Sequence, residues 1–137
     1  MEKPLILAVD DELQMLAMLK MRLEANDFEV ITAIDGLEAL EKARNNKVAL
    51  IILDLMLPKM DGYKVCRMLK FDERYRNIPV IILTARSQKI DKEMAEGVNA
   101  DAYITKPFEP QELITKIQEL LKNAHPVYRK ITDDKEL

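Results

Sequence analysis

The stretch ALIILDLMLPKMDG, residues 49–62, joins an apolar segment directly to a carboxylate. Residues 49–53 are apolar throughout, and Asp54 follows them without an intervening turn. A continuous apolar run of this length is typical of a strand buried on both faces of a parallel sheet. The stretch therefore predicts a central strand of such a sheet, and it raises the question of why an ionisable residue stands at its end.

Short apolar runs like this one alternate along the chain with longer segments of helical spacing. Leu16, Leu19 and Leu23 are one example of that spacing. Strand and helix alternate five times, which predicts a parallel sheet covered by helices on both faces. In chain order the predicted strands are residues 5–9, 29–33, 49–53, 80–83 and 101–105, and five helices are expected to accompany them.

The composition of the strands suggests their order in the sheet. Strands 1, 3 and 4 are nearly pure Val, Ile and Leu, as expected of central strands, whereas strands 2 and 5 contain polar residues, as edge strands can. Right-handed crossovers then favour the order 2-1-3-4-5. The fold class predicted is α/β, a doubly wound, flavodoxin-like three-layer sandwich. The polar edge-strand residues are Glu29, Thr32, Asp101 and Thr105.

The overall composition excludes several classes of protein. The chain has 137 residues, enough for one domain, and 48% of them are hydrophobic, which is typical of a globular protein. A net charge of −3 argues against direct binding of nucleic acid, which needs a basic surface. A single cysteine suits a reducing compartment. Neither a signal peptide nor an apolar run of membrane-spanning length is recognisable, so a cytoplasmic location is expected.

Polar residues follow the predicted strands at the edge where such sheets bind ligands. Ligands of open α/β sheets lie outside the carboxyl ends of the strands, at the point where strand order reverses, here between strands 1 and 3. Asp10 and Asp11 follow strand 1, Asp54 follows strand 3, Thr84 follows strand 4 and Lys106 follows strand 5, whereas strand 2 leads only to Asp35 and Gly36, a turn by composition.

Three carboxylates on one rim need a compensating charge. Two carboxylates about 4 Å apart repel by about 4 kcal/mol at an effective dielectric constant of 20. Either a proton is shared or a cation lies among them. Mg²⁺ fits, because it takes one or two carboxylates and completes its octahedron with water and phosphate oxygens. Lys106 would hold a phosphate and Thr84 would donate a hydrogen bond to it, so the set predicts a phosphoryl site with a carboxylate acceptor.

With these motifs the chain resembles the receiver domain of bacterial two-component response regulators, of the chemotaxis type. The matching segments are VDDE (9–12), LDLMLPKMDG (53–62), ILTA (82–85) and YITKPF (103–108). The likeness covers residues 4–123, which are assigned to the receiver domain. Residues 124–137 are expected to form a polar tail or the start of a linker.

The resemblance implies a function for the carboxylates. Asp54 would accept a phosphoryl group from a phosphohistidine of a sensor histidine kinase or a histidine phosphotransfer domain. Asp10 and Asp11 would hold Mg²⁺ together with Asp54, and the backbone carbonyl of Met56 would be a further ligand. The domain would not be an enzyme, apart from promoting its own phosphorylation and dephosphorylation. Asp54 would then end the central strand because it is the phosphoacceptor.

The resemblance also implies a switch. Lys106 would pair with the phosphoryl group, Thr84 would be drawn toward it, and Tyr103 would move inward into the space vacated. The peptide bond between Lys106 and Pro107 would be cis. The surface formed by the fourth predicted helix, strand 5 and the last helix would then change its preference for partners. Homodimerisation through that surface is compatible with the resemblance, but the sequence does not indicate it.

Two further pairs of residues are assigned roles. The resemblance implies that the first helix meets the phosphohistidine domain, and Met18 and Met21 are predicted on its exposed face as an adaptable docking surface. Scattered exposed apolar residues are also normal. Met56 and Arg86, each two residues beyond a site residue, are predicted to hinder the attacking water and lengthen the phosphorylated state.

Simpler interpretations exist for single residues. Asp11 could cap the first helix, Lys106 could be a solvated lysine, and Tyr103 could serve packing alone. A rival function is a phosphatase of the haloacid-dehalogenase type, but that class needs a second Asp where Met56 stands. Other rivals are an unphosphorylated receiver used as a scaffold and a flavodoxin-like cofactor protein, for which no phosphate loop follows strand 1. The sequence leaves two questions open: which output pathway the chain serves, and whether it is a stand-alone receiver or part of a larger regulator.

Overall fold

The computed structural model describes residues 2–85 and 99–124, except for the side chain of Ala124. Within these residues strands and helices alternate as the sequence predicts. The strands are β1 (Leu5–Val9), β2 (Glu29–Ala33), β3 (Leu50–Asp54), β4 (Val80–Ala85) and β5 (Ala102–Lys106). The helices are α1 (Leu13–Glu24), α2 (Gly36–Asn45), α3 (Gly62–Lys70) and α4 (Pro110–Ala124). The helix expected between strands 4 and 5 falls on residues outside the described ranges.

The five strands form one parallel sheet in the order β2-β1-β3-β4-β5, which confirms the predicted topology. Three strands extend further toward the site than expected. Asp54, Thr84 and Lys106 are strand residues, in register with Leu83, Thr105 and Ala85 respectively. The predicted strands 3 and 4 end just before a polar side chain, and strand 5 ends one residue before Lys106. Ladder hydrogen bonds come from the backbone, so they continue through a polar residue.

Two hydrophobic clusters lie on opposite faces of the sheet, because successive side chains of a strand point to opposite sides. In β1, Ile6 and Ala8 belong to the cluster beneath α1 and α4, and Leu7 and Val9 belong to the cluster beneath α2 and α3. The central strand β3 is buried at every position. The result is the three-layer sandwich that the sequence predicts, with the polar rim at the carboxyl edge of the sheet.

Helix α1 buries the predicted stripe of Leu16, Leu19 and Leu23. Met21 lies on its exposed face, with 62% of its surface accessible. Met18, in contrast, is half-buried and packs against the first hydrophobic cluster, so its assignment to the exposed face is wrong. The stripe is wider than the three leucines indicate, because a core-facing helix buries about 100° or more of its circumference.

No helix in the described ranges is both long and apolar enough to span a bilayer.

Candidate functional site

Three carboxylates converge at the carboxyl edge of the sheet. Asp10 follows β1 directly and is fully buried, Asp54 ends β3 and is 7% exposed, and Asp11 is exposed. Each offers an oxygen, and these three oxygens lie within 4.8 Å of one another. Oδ1 of Asp10 also accepts a hydrogen bond of 2.9 Å from the backbone N–H of Glu12. Asp10, and not Asp11, thereby holds the backbone at the start of α1.

Lys106 supplies a positive charge within this cluster. Its Nζ lies 3.0 Å from Oδ2 of Asp10 and 3.5 Å from Oδ2 of Asp54. The lysine side chain is only 16% exposed, so solvent screens these contacts less than it screens surface pairs. The solvated interpretation of Lys106 is therefore wrong. Among the described residues, one ammonium thus accompanies three carboxyl groups, two of which it contacts, so the formal charge of these four side chains is negative.

The surroundings shift the pKa of both partners. Burial is the largest cause of a raised pKa for Asp54, and the charge of Asp10 raises it further, against the opposing effect of Lys106. Burial alone would lower the pKa of Lys106, but its hydrogen bond and attraction to Asp10 outweigh burial, so the pKa is raised. The Asp54 carboxylate is thus held in a site that penalises its charge, which is what an added cation would relieve.

The loop after Asp54 folds back over the end of β3. The backbone N–H of Leu55 donates to the carbonyl of Leu83 at 3.0 Å, and that of Gly62 donates to the carbonyl of Leu55 at 2.9 Å. A Cβ on Gly62 would lie 3.0 Å from the Cα of Leu55 and closer still to the Asp54 carbonyl oxygen. Only glycine leaves room for this approach, so Gly62 serves backbone geometry at the entry to α3.

Met56 lies in this loop beside Asp54. Its backbone N–H is 3.3 Å from Oδ1 of Asp54, and its side chain is 65% exposed. The methionine side chain is therefore at the surface, next to the buried carboxylate.

The remaining predicted residues lie on β4, on β5 and beyond. Thr84 is 1% exposed, next to the site residues in the sheet. Tyr103 is half-buried against the cluster beneath α2 and α3, and burial is the main cause of the rise of its pKa to about 12. The bond between Lys106 and Pro107 is cis. Arg86 lies outside the described residues.

The start of α2 contacts the loop after Asp54, a relationship that the sequence does not predict. Asp35 and Gly36 do not form a simple turn but are the cap and the first residue of α2, and Asp35 Oδ1 accepts a hydrogen bond from the N–H of Glu38 at 2.8 Å. Lys59 Nζ lies 3.3 Å from the other oxygen of Asp35. Asp and Glu three residues apart are a known capping pattern, which would have indicated the helix start but not the contact with Lys59.

The donor set matches a small divalent cation. All candidate ligands are oxygens, and hard cations such as Mg²⁺ prefer oxygen ligands and bind through one or two carboxylates together with water and phosphate oxygens. The raised pKa of Asp54 and the excess of negative charge favour a bound cation. Chemically, the arrangement offers a carboxylate nucleophile, a cation site and an ammonium within one cluster.

Comparisons with known proteins identify the family of this fold. The model of the response regulator receiver domain family matches residues 6–118. The receiver domain of a signal transduction histidine kinase from Syntrophus aciditrophicus superposes with a TM-score of 0.84 at 34% identity, covering 89% of this chain and 92% of that one. The receiver domain of the sensor histidine kinase PA1611 from Pseudomonas aeruginosa, described with a magnesium ion coordinated in its active site cleft, superposes with a TM-score of 0.79 at 28% identity, covering 87% and 98%.

A curated relative is the alkaline phosphatase synthesis transcriptional regulatory protein PhoP of Bacillus subtilis. It is 42% identical over 119 residues, which are 87% of this chain and 49% of the relative. The chain spans about half the length of this relative and of other curated relatives that it matches. The family model, the shared fold and these identities lead to one conclusion. The chain belongs to the receiver domain family of two-component response regulators.

Proposed function

We propose that this chain accepts a phosphoryl group on Asp54, with Mg²⁺ as cofactor, and passes the signal on through a switched protein-interaction surface. The donor would be a phosphohistidine of a sensor histidine kinase or of a histidine phosphotransfer domain. The observation that carries the proposal is the cluster itself, in which oxygens of Asp10, Asp11 and Asp54 lie within 4.8 Å and Lys106 contacts two of these residues.

Mg²⁺ would be held by the carboxylates of Asp10, Asp11 and Asp54 and by the backbone carbonyl of Met56. When bound, it would supply positive charge that offsets the carboxylates and the oxygens of the incoming phosphoryl group. The protein contributes a buried Asp10, fixed through Glu12, and a loop closed by Gly62 that places Met56 beside the acceptor.

The transfer step uses Asp54 as nucleophile. A carboxylate oxygen forms a bond to phosphorus while the bond between phosphorus and the imidazole nitrogen of the donor breaks, and the electron pair of that bond returns to the imidazole. The product is an acyl phosphate on Asp54. No proton has to leave Asp54 in this step, provided that its carboxyl group is ionised beforehand.

Lys106 would stabilise the transferred group and start the switch. Its ammonium already lies 3.5 Å from Asp54, so a phosphoryl oxygen on that residue falls within its reach. The buried hydroxyl of Thr84 would donate to another phosphoryl oxygen, and Tyr103 would pack into the space that the threonine leaves. The group adds roughly 1.5 to 2 negative charges, which is enough to bias a two-state surface.

The same site would limit the lifetime of the signal. The domain would act on itself alone, promoting its own phosphorylation and the later hydrolysis of the acyl phosphate, and it would not turn over a separate substrate. Met56, exposed beside Asp54, would hinder the attacking water. The corresponding role of Arg86 rests on its place in the sequence.

The phosphoryl donor and the output partner would use different faces of the domain. The donor domain has to reach Asp54 and would therefore dock at the carboxyl edge of the sheet and along α1, where Met21 is exposed. On the output side, the relative named a transcriptional regulatory protein is about twice as long, which supports a longer regulator with an output domain. Homodimerisation would use the surface formed by β5, α4 and the helix expected between β4 and β5.

The experiment is intact-protein mass spectrometry after incubation with acetyl phosphate, with and without Mg²⁺, beside an Asp54→Asn variant. A Mg²⁺-dependent gain of one phosphoryl group in the wild-type protein, absent in the variant, is the expected result. An equal gain in the variant would mean that a residue other than Asp54 accepts the phosphoryl group. No gain under any condition would favour a receiver used as an unphosphorylated scaffold.

A further inference from the structure

The loop from Leu55 to Asp61, which carries the proposed Met56 ligand, is held at both ends by the sheet and by its own backbone. Leu55 is tied to β4 and Gly62 is tied back to Leu55. The middle of the loop, residues 58–60, lies away from these two anchors. Met60 packs against the hydrophobic cluster beneath α2 and α3, and the first residues of α2 contact this part of the loop directly.

Three observations define this contact. The backbone N–H of Gly36 lies 3.5 Å from the carbonyl oxygen of Pro58, a long hydrogen bond. Lys59 Nζ lies 3.3 Å from Oδ2 of Asp35. A Cβ on Gly36 would meet the Met60 carbonyl oxygen and would lie 2.7 Å from the Met60 Cβ, so the first turn of α2 packs directly on the loop without space for a side chain.

Lys59 lies at a tight turn of the loop, in which the backbone N–H of Met60 donates to the carbonyl of Pro58 at 2.7 Å. The φ angle of Lys59 is 66°, in the left-handed region that a residue with a Cβ rarely adopts. Such a conformation persists where surrounding contacts determine it. Here the side chain of the same residue reaches across to Asp35, which is 7% exposed and is itself fixed by the N–H of Glu38.

We propose that Asp35 and Gly36 are positioning residues for the metal and phosphoryl site, because they hold the loop that presents Met56 beside Asp54. The inference rests on the proposed function, since it concerns the same site. It assigns to the start of α2 a part in Mg²⁺ binding, although Asp35 and Gly36 do not themselves belong to the carboxylate cluster. The competing interpretation is that Asp35 only caps α2 and that its pair with Lys59 is an ordinary surface ion pair.

Charge provides a sharp way to separate the two interpretations. Lys59→Met removes a positive charge near the carboxylates, so Coulomb attraction alone predicts tighter Mg²⁺ binding. Asp35→Asn removes a negative charge and keeps a good helix cap, so Coulomb attraction alone predicts weaker binding. Positioning predicts that both variants bind Mg²⁺ more weakly, by about two- to fivefold, the range of exposed ion pairs. Gly36→Ala is expected to have a larger effect, since the loop must shift to admit the methyl group.

The test measures two quantities for each variant. The first is the dissociation constant of Mg²⁺ alone, from the shifts of backbone amide resonances in an NMR titration. The second is the dependence of the acetyl phosphate reaction on Mg²⁺, which gives the Mg²⁺ concentration for half-maximal rate and the rate at saturating Mg²⁺. Mispositioning raises the dissociation constant and the half-maximal concentration and leaves the saturated rate near that of the wild type. Loss of folded protein, in contrast, lowers only the rate at saturating Mg²⁺ and leaves the dissociation constant and the half-maximal concentration unchanged.

The matched control is the ion pair of Lys116 and Glu119 on α4, which has the same 3.3 Å separation. Lys116→Met and Glu119→Gln carry the same changes of charge and are expected to leave Mg²⁺ binding unchanged. Opposite effects of Lys59→Met and Asp35→Asn, or no effect of either, would overturn the inference even if Gly36→Ala does not fold. The proposed function is judged separately, by whether the wild-type protein binds Mg²⁺ and gains a phosphoryl group.

Discussion

Lys106 and Asp10 form an ion pair of 3.0 Å within the carboxylate cluster, and the aspartate is fully buried. The two residues are 96 positions apart in sequence. Asp10 follows β1 and Lys106 ends β5, and because β3 and β4 lie between these strands, the lysine side chain reaches across the carboxyl edge of the sheet. The pair neutralises the least exposed of the three carboxylates. A cation that binds there has to share Asp10 with the lysine, so the charge of Lys106 affects both stability and metal affinity.

Lys106→Met is expected to destabilise the metal-free protein by about 3 kcal/mol, because it leaves a buried carboxylate without its partner. Mg²⁺ should then raise the melting temperature of the variant more than that of the wild type, since the cation replaces the missing charge. Thermal unfolding at increasing Mg²⁺ concentrations measures both effects. Lys116→Met, at a half-buried lysine of α4 outside the carboxylate cluster, is the control. A smaller Mg²⁺ effect in Lys106→Met than in the wild type would contradict the prediction.

Asp54→Asn is expected to stabilise the metal-free protein at pH 7, by an amount on the order of 1 kcal/mol, the usual size of a single substitution. The raised pKa of Asp54 means that folding disfavours its ionised form. As the pH falls toward the ordinary pKa of 3.8, the wild-type residue takes up a proton and its unfavourable contribution disappears.

Urea unfolding of both proteins with a chelator present, from pH 7 down to pH 4, measures this difference. The stability advantage of the variant should shrink as the pH decreases. An advantage that grows toward low pH would mean that the carboxylate is favoured in its ionised form by the fold, contrary to the burial and the charge of Asp10 at this site.

Met56→Asn is expected to shorten the life of the phosphorylated state several-fold. The exposed methionine side chain lies beside Asp54, and a shorter polar side chain would admit and orient the attacking water. Loss of the phosphoryl group after removal of acetyl phosphate, followed by intact mass, measures the rate. Met21→Asn, a comparably exposed methionine on α1, should leave the rate unchanged. Equal rates in the wild type and Met56→Asn would show that the Met56 side chain does not affect the lifetime of the phosphorylated state.

Cys66 is expected to react slowly with thiol reagents in the folded protein. The side chain is fully buried, and burial raises the pKa of the thiol from 9.0 to about 12, so the reactive thiolate is scarce at neutral pH. Because the folded state disfavours the thiolate, this residue also reduces stability as the pH rises above 9.0.

The rate of modification by a disulfide reagent, with and without urea, tests the first statement. Unfolding should accelerate the reaction strongly. Comparison of Cys66→Ala with the wild type tests the second, since the stability difference between them should shift in favour of the variant at alkaline pH. Rapid modification of the native thiol would show that the space beneath α3 is open to solvent.

The sequence by itself determined the sheet and its order. Apolar runs such as residues 49–53 identify strands buried on both faces, and the polar residues of strands 2 and 5 assign those strands to the edges. These patterns are local, and they follow from the alternation of side chains and from burial, so they can be read without coordinates. The convergence of Asp10, Asp54 and Lys106 at one edge follows from the same topology.

The tertiary structure decided which contacts those residues make. The sequence placed Met18 on the exposed face of α1, but the width of the buried stripe depends on the neighbouring strands. It assigned Asp35 and Gly36 to a turn, whereas the folded chain places them against Pro58 and Lys59. Such a contact joins segments more than 20 residues apart, and its existence depends on how two helices pack on the same face of the sheet. No local pattern of charge or hydrophobicity encodes that distance.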